Sequence, residues 1–266
     1  MNKPIVQSLW VGETLSLLEQ LCIRSFISNG HHFHLYVYQE PANIPSGTII
    51  KDANEIIPEQ YIFTYKRGFF TRNKDSYAGF ADWFRWALLS RKGNFWVDMD
   101  VINLKTFDFD TDLIFGLESD NFVCSAVLGF PANHELCRLL ESVCEQPNKI
   151  LAYDSGYRRL KKTLRKKFNN SRSNISWGEA GGPAGLTRAL KHFHLFEKAK
   201  PSPYFYPVHY SSWYTIFDET GSKNNSLSSE SYAIHLWNEM GRKKGIDKNA
   251  AFPEDSLIEQ LKRTYL

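Results

Sequence analysis

Residues 80–100 read FADWFRWALLSRKGNFWVDMD and predict a helix, a turn and a short buried strand in succession. Apolar residues recur at helical spacing up to Gly93, a residue that suits the end of a helix, and either Asp75 or Ser76 suits its N-cap. Asn94–Val97 is an apolar run that ends in an Asp-x-Asp sequence, typical of a buried strand with acidic residues at its carboxyl end. Ligands of open α/β sheets bind at such ends, so this stretch predicts the fold class and the place of the site.

The neighbouring segments extend the same alternation of strands and helices. Pro4–Trp10 predicts a strand, Glu13–Asn29 a helix before Gly30, and Phe33–Tyr38 a second strand. This order favours a parallel sheet. Further predicted elements are helices at His134–Glu145, at Gly156–Phe168 and at Glu254–Leu266, and another helix that ends at His192. A strand is predicted at Tyr232–Trp237. We expect a single α/β domain over residues 1–266.

Length and composition exclude several classes of protein. A chain of 266 residues with 42% hydrophobic residues can bury a core of its own. The net charge of +3 argues against a dedicated nucleic-acid binder. No run approaches the roughly 18–20 apolar residues that span a bilayer, and the N-terminus has no secretory apolar region, so we expect a cytoplasmic protein.

The Asp-x-Asp sequence offers two carboxylates for a cation. In an extended segment, residues two apart point to the same side, so Asp98 and Asp100 share one small volume. A divalent ion held by few carboxylates keeps positions open for phosphate oxygens. The alternative is that both residues only end a strand in solvent.

The preceding helix carries an acid and a base on one face. Asp82 and Arg85 lie three residues apart and could reach one ligand together, the acid through sugar hydroxyls and the guanidinium through hydroxyl or phosphate oxygens. An intrahelical salt bridge without any ligand explains the spacing equally well.

These residues resemble the core of a known enzyme family. Phe80–Trp86 and Gly93–Asp100 are similar to the Ala-x-Asp-x-x-Arg and Gly-Gly-x-Tyr-x-Asp-x-Asp sequences of glycosyltransferase family 32, although Asn94 replaces the second glycine. Other segments resemble α1,4-galactosyltransferases and α1,4-N-acetylglucosaminyltransferases in the same order: Phe122–Phe130 with His134-Glu135, Trp177-Gly178 with Gly182-Pro183 and Leu186-Thr187-Arg188, Tyr204–Val208 with Trp213, and Tyr232–Asn238. In addition, Glu179-Ala180-Gly181 is one residue longer than the family stretch.

The resemblance implies an A-type glycosyltransferase fold, a Rossmann-like, mostly parallel sheet flanked by helices, with Mn²⁺ or Mg²⁺ and a UDP-sugar donor. Residues 1–130 would mainly bind nucleotide-sugar and metal, and residues 131–266 the acceptor side and active-site closure. Asp98 and Asp100 would bind the metal and diphosphate, and Asp82 and Arg85 the donor sugar and ribose. The remaining candidates are His235 as a third metal ligand with Asn238 as its rival, Trp10 stacked on uracil, and Gly182 near the donor.

Each of these remaining candidates also has a purely structural interpretation. Trp10 could anchor the core, Gly182 could be a plain loop-to-helix entry, and a single histidine such as His235 is often structural. No motif identifies a catalytic base or nucleophile, for which the possible carboxylates are Glu118, Asp120, Asp154 and Glu179.

The resemblance implies retaining transfer of a hexose, galactose or N-acetylglucosamine, to a glycan or lipid-linked glycan, in the synthesis of surface polysaccharide or lipopolysaccharide. The alternatives are an effector that glycosylates a protein and a non-catalytic carbohydrate-binding descendant. A basic helix at 157–168, with an apolar stripe, could also bind the inner face of a membrane peripherally, although most charge runs are only solvated faces.

Overall fold

The computed structural model describes residues 3–66, 76–219 and 227–266. Within them lie eight strands: β1 Ile5–Trp10, β2 His32–Val37, β3 Ile49–Asp52, β4 Asn94–Val97, β5 Val101–Asn103, β6 Ile114–Ser119, β7 Phe122–Phe130 and β8 Ala233–His235. The α-helices of the same ranges are α1 Leu17–Ser28, α2 Ala78–Lys92, α3 Glu135–Glu145, α4 Gly156–Phe168, α5 Pro183–His192, α6 Asn238–Lys244 and α7 Leu257–Tyr265. Short 3₁₀ helices lie at Ala53–Glu55, Glu59–Tyr61, Phe196–Lys198, Ser202–Tyr204 and Tyr210–Ile216.

Six strands form the central sheet in the order β3-β2-β1-β4-β7-β6. The pairs β3/β2, β2/β1 and β1/β4 are parallel, as the alternation of strands and helices predicted, whereas β7 runs antiparallel to both β4 and β6. The reversal arises because β6 and β7 form a hairpin, in which Ser119 pairs with Phe122, and so need no crossover helix. The predicted α/β class, with a Rossmann-like, mostly parallel sheet, is confirmed.

Helices cover both faces of this sheet. On one face, α1 and α7 bury residues such as Phe26 and Ile258 in a common apolar cluster. On the other face, α2, α3 and α5 bury Phe84, Leu140 and Leu190 in a second cluster. Cover on both faces agrees with the burial of β1 and β7 along most of their length, including the polar residues Gln7 and Ser8 of β1.

Helix α2 begins later than the sequence indicated. Its N-cap position is Tyr77, whose side chain makes no capping bond, while the Ser76 hydroxyl accepts a hydrogen bond from the Ala78 N–H at 3.2 Å. Asp75, the other predicted cap, lies outside the described residues. In the part of the chain that the structure describes, no helix combines the length and apolar character needed to cross a bilayer.

The turn from α2 into β4 has two successive residues in the left-handed region. Gly93 has φ of 64°, and Asn94, which stands where the related family has a second glycine, has φ of 69°. Asparagine is one of the few residues with a side chain that tolerates this conformation, and its Nδ2 donates to the Lys92 carbonyl at 3.1 Å. The substitution therefore preserves the turn that aims β4 into the sheet.

We expect substitutions at Gly93 to destabilise the protein more than substitutions at Asn94. Gly93→Ala should lower the free energy of unfolding by more than about 2 kcal/mol, because its Cβ would lie 2.5 Å from the Ala132 nitrogen in an already unfavourable conformation. Asn94→Ala should cost about 1 kcal/mol and Asn94→Gly should cost less. Urea unfolding measures all three. Gly156→Ala, at a position with no atom within 4 Å of the added Cβ, is the control and should not destabilise the protein. Equal stability of Gly93→Ala and wild type would contradict this account of the turn.

Candidate functional site

Two carboxylates and one imidazole meet beside the central sheet. Asp98 directly follows β4, Asp100 directly precedes β5, and His235 ends β8. Antiparallel pairing places Val101 opposite His235, which brings the histidine next to Asp100. The Nε2 of His235 lies 3.2 Å from Oδ2 of Asp100. One ligand atom from each of Asp98, Asp100 and His235 lies within 4.8 Å of the other two, and no second group of this kind occurs among the described residues.

The chain after β8 turns sharply and reinforces this arrangement. Trp237 adopts a left-handed conformation with φ of 55°, and its Nε1 donates to the Val208 carbonyl at 2.9 Å. The turn starts α6 at Asn238, whose backbone N–H donates to Oδ2 of Asp100 at 2.8 Å. Asn238 thus contacts Asp100 through its backbone.

The buried pair His235–Asp100 is held in its charged form. Burial by itself lowers the pKa of His235, but the Asp100 carboxylate raises it well above the ordinary histidine value. Burial likewise opposes ionisation of Asp100, while His235 and the Asn238 N–H lower the pKa of this carboxyl below its usual value. A proton on His235 therefore compensates part of the negative charge of the carboxylates.

Arg85 joins helix α2 to the end of β4. Its Nη1 donates to Asp82 Oδ1 at 2.9 Å and its Nη2 donates to Asp98 Oδ1 at 3.0 Å. Only 4% of the Arg85 side chain and 10% of the Asp82 side chain are exposed. The intrahelical ion pair expected as an alternative to ligand contact does form, and the same guanidinium also holds Asp98. Trp96 Nε1 gives Asp98 Oδ1 a second hydrogen bond at 2.7 Å.

A cavity of about 950 Å³ opens over these groups. Of the predicted site residues, those that line it are Trp10, Asp82, Arg85, Asp98, Asp100, His235 and Asn238. Trp10 ends β1 and is half-buried, and Gly12 lies against its indole, where an added Cβ would be 3.1 Å from Nε1. The Trp10 ring is thus both packed on one side and part of the cavity wall.

Gly182 lies behind the cavity wall rather than in it. It is the N-cap position of α5, with Pro183 in the first turn, so the loop-to-helix entry expected from the sequence is present. A Cβ at Gly182 would lie 2.7 Å from Asp82 Oδ2. The glycine therefore allows this loop to approach the Asp82–Arg85 pair closely.

The four carboxylates considered as nucleophile or base lie in different places. Glu118 lines the cavity, and burial raises its pKa above the ordinary glutamate value. Asp154 and Glu179 are buried in ion pairs with helix α4. Asp120 is exposed in the β6–β7 hairpin. Glu118 is therefore the one of these four carboxylates that borders the cavity.

Sequence reasoning did not identify the aromatic rim of the cavity. Tyr77, Trp177 and Tyr210 line it with 44%, 48% and 42% of their surfaces exposed. Lys243, on α6, lies at the same rim. Trp177 stands in a segment that supported the family resemblance, but nothing in the local pattern around Tyr77 or Tyr210 marks a binding residue.

The donor set of this cluster fits a divalent cation. Two carboxylates and an imidazole within 4.8 Å, backed by the buried Arg85 network, form a partial coordination shell with room left for other ligands. Asp98, Asp100 and His235 can thus hold a metal, as the sequence predicted.

Known proteins resemble this chain in a solved fold but not in a curated sequence. No curated protein matches this chain. Solved structures that match include "PaToxG Glycosyltransferase", with 12% sequence identity, 98% of this chain and 87% of that chain covered, and a TM-score of 0.44. At these values the likeness assigns neither an activity nor a substrate.

The family comparison bears directly on the site. Residues 160–265 match the family model described as "Alpha 1,4-glycosyltransferase conserved region". This span includes Gly182, His235 and Asn238, three of the residues singled out from the sequence. Residues 160–265 are therefore similar to the conserved region of α1,4-glycosyltransferases, which agrees with the family resemblance found in the sequence and supports glycosyltransferase activity.

Proposed function

We propose that this protein is a metal-dependent retaining glycosyltransferase that moves a hexose, galactose or N-acetylglucosamine, from a UDP-sugar to a glycan or lipid-linked glycan. The observation that carries the proposal is the meeting of Asp98, Asp100 and His235 within 4.8 Å, at a cavity that Arg85 and Trp10 also line. A carboxylate pair beside a buried guanidinium suits a ligand that brings both a cation and phosphate oxygens.

Each group has a separate task in donor binding. Asp98 and Asp100 would hold the metal with His235, and the mixed oxygen and imidazole set favours Mn²⁺ over Mg²⁺. Trp10 would stack on the uracil, where a flat apolar surface favours a planar base. Asp82 would accept hydrogen bonds from hydroxyls of the donor sugar or ribose. Arg85 would hold the Asp82 and Asp98 carboxylates in place.

The bond-breaking step needs charge stabilisation at the leaving diphosphate. A bound divalent ion would neutralise this diphosphate and stabilise the charge that develops on departure. Glu118 is the carboxylate best placed to face the anomeric carbon or the incoming hydroxyl, since it lines the cavity near His235.

Residues 131–266 would mainly form the acceptor side, while still contributing His235 and Asn238 to the metal. Trp177 and Tyr210 expose aromatic surface at the rim, and such surfaces stack well on sugar rings. A screen of glycan, glycolipid and protein acceptors with the same donor tests this assignment. Transfer only to protein would favour the effector alternative, and absence of metal-dependent donor hydrolysis would favour a non-catalytic carbohydrate-binding protein.

Loss of either carboxylate of the acidic pair should stop the reaction. We expect Asp98→Asn and Asp100→Asn to lower metal-dependent release of UDP from the donor about 100-fold or more, because each removes a charged ligand. Asparagine is preferred to alanine, since both aspartates accept partly buried hydrogen bonds from Arg85, Trp96 or Asn238 and a smaller residue would also disturb the fold.

The control for these variants is Asp112→Asn, which removes an exposed carboxylate of the same type elsewhere. Its rate and its unfolding midpoint should match those of wild type. Full activity of Asp98→Asn or Asp100→Asn, with folding verified by circular dichroism, would refute the proposed role of the pair.

Metal binding should release a proton from His235. Because Asp100 raises the pKa of this histidine, the metal must displace a proton, and affinity should fall up to about tenfold for each unit by which the pH is lowered beneath that pKa. Calorimetric titration with Mn²⁺ in two buffers of different ionisation enthalpy measures the released proton. His235→Asn should bind Mn²⁺ more weakly and without this proton release. An unchanged proton count in His235→Asn would contradict the assignment.

Trp10 should select the nucleotide base. A thermal-shift screen of uridine, guanosine and cytidine diphosphate sugars should give the largest rise in Tm for the uridine compound with Mn²⁺, because binding to the folded state alone stabilises it. Trp10→Ala should weaken UDP-sugar binding by about 5- to 100-fold through lost stacking, and Trp10→Phe by less. A stronger shift with a guanosine or cytidine donor would overturn the choice of UDP.

A further inference from the structure

Helix α4 exposes its apolar residues and buries two basic ones, the reverse of an ordinary surface helix. Its seven basic residues are accompanied by no acidic residue, and its apolar residues form one stripe at helical spacing. This stripe points outward: the exposed fractions are 76% for Tyr157, 59% for Leu160, 44% for Leu164 and 75% for Phe168. Two of the basic residues, Lys162 and Arg165, are instead buried against the protein.

Buried ion pairs fix the helix in this orientation. Lys162 Nζ lies 2.7 Å from Asp154 Oδ2 and donates to the Lys149 carbonyl at 2.9 Å. Glu179 is held by Arg165 Nη2 at 2.5 Å and by Lys161 Nζ at 2.8 Å. Rotating the apolar stripe inward would leave the Asp154 and Glu179 carboxylates buried without their partners, which is strongly unfavourable.

The exposed face combines apolar and basic side chains. Lys167 lies beside the stripe, with its Nζ 5.5 Å from the centre of the Phe168 ring, and Arg159 and Lys166 are also exposed. A helix that offers aromatic and aliphatic side chains together with lysine and arginine is suited to the boundary between lipid headgroups and acyl chains. Each basic residue near an anionic lipid surface adds to the attraction.

We propose that α4 is a membrane-docking helix that inserts Tyr157, Leu160, Leu164 and Phe168 into an anionic lipid bilayer. Charge favours lipid over a second copy of the chain, because two copies joined through this face would bring two wholly basic helices together. The orientation found here, with the stripe outward and two basic residues inward, is what distinguishes this surface from a merely solvated run of charges.

The docking helix adjoins the cavity through the chain that follows it. Ser176 and Trp177 line the cavity, and Glu179, which pairs with α4, lies two residues beyond Trp177. Docking would therefore fix this segment, and with it Trp177, relative to the lipid surface, an arrangement that suits a lipid-linked acceptor. That consequence rests on the proposed function, whereas lipid binding itself does not depend on it.

Vesicle flotation tests the proposal with the whole chain. Wild type should float with phosphatidylcholine vesicles that contain about 30 mol% phosphatidylglycerol, and not with phosphatidylcholine alone. The triple variant Tyr157→Ser, Leu160→Ser, Phe168→Ser should lose about tenfold or more in apparent affinity, since it removes most of the inserted apolar surface. Lys166→Gln with Lys167→Gln should also weaken binding, and this contribution should diminish as salt rises from about 0.1 to about 0.5 M.

Matched controls use exposed residues of the same types on other surfaces. Tyr214→Ser with Leu266→Ser removes exposed apolar side chains, and Lys92→Gln with Lys198→Gln removes two exposed charges; both should bind vesicles as wild type does. The proposal would be overturned if the triple variant floated as well as wild type, or if wild type did not float. So would an α4-dependent dimer without lipid binding, measured by analytical ultracentrifugation.

UDP release by the triple variant should equal that of wild type in vesicle-free solution, which separates lipid docking from the transferase activity.

Discussion

The buried guanidinium of Arg85 between Asp82 and Asp98 is the interaction on which the site depends. Removal of Arg85 and Asp82 from water is costly, and hydrogen bonds on both sides of the guanidinium offset that cost. Burial raises the pKa of Asp82 to about 6 although Arg85 acts in the opposite direction. The two carboxylates outnumber the single guanidinium, so a cation at Asp98 and Asp100 would offset the remaining negative charge.

The elements that the sequence predicted best are those whose pattern is local. The strand Ile5–Trp10, helix α2 and strand β4 follow from apolar spacing and from the turn at Gly93. Strand β8 lies within the strand predicted at Tyr232–Trp237, but β5 is only three residues long, too short for a period to show, and the pairing of the two strands joins residues more than a hundred positions apart. Because this pairing places His235 beside Asp100, only the family resemblance could indicate the histidine as a ligand.

Within the site, too, the local spacing of residues was predictable and their contacts with distant residues were not. The three-residue spacing of Asp82 and Arg85 predicted a shared face, but it could not distinguish an ion pair from ligand contact, and the structure places the pair in the cavity wall as well. For α4, the sequence indicated an amphipathic basic helix without indicating which face is buried. That choice is made by Asp154 and Glu179, which lie outside the helix and supply the buried partners of its lysines and arginines.

One short segment connects helix α4 with the Asp82–Arg85 pair at the cavity. Glu179 is held by α4, the Gly181 carbonyl accepts a hydrogen bond from Trp86 Nε1 at 2.5 Å, and Gly182 packs against Asp82. A Cβ at Gly181 would lie 2.2 Å from Cys144 Sγ, so the backbone here has little freedom to shift. The longer Glu179-Ala180-Gly181 stretch is therefore fixed by contacts with both α2 and α4. Because Trp177 lies only two residues before Glu179, the shape of the cavity rim depends on the position of both helices.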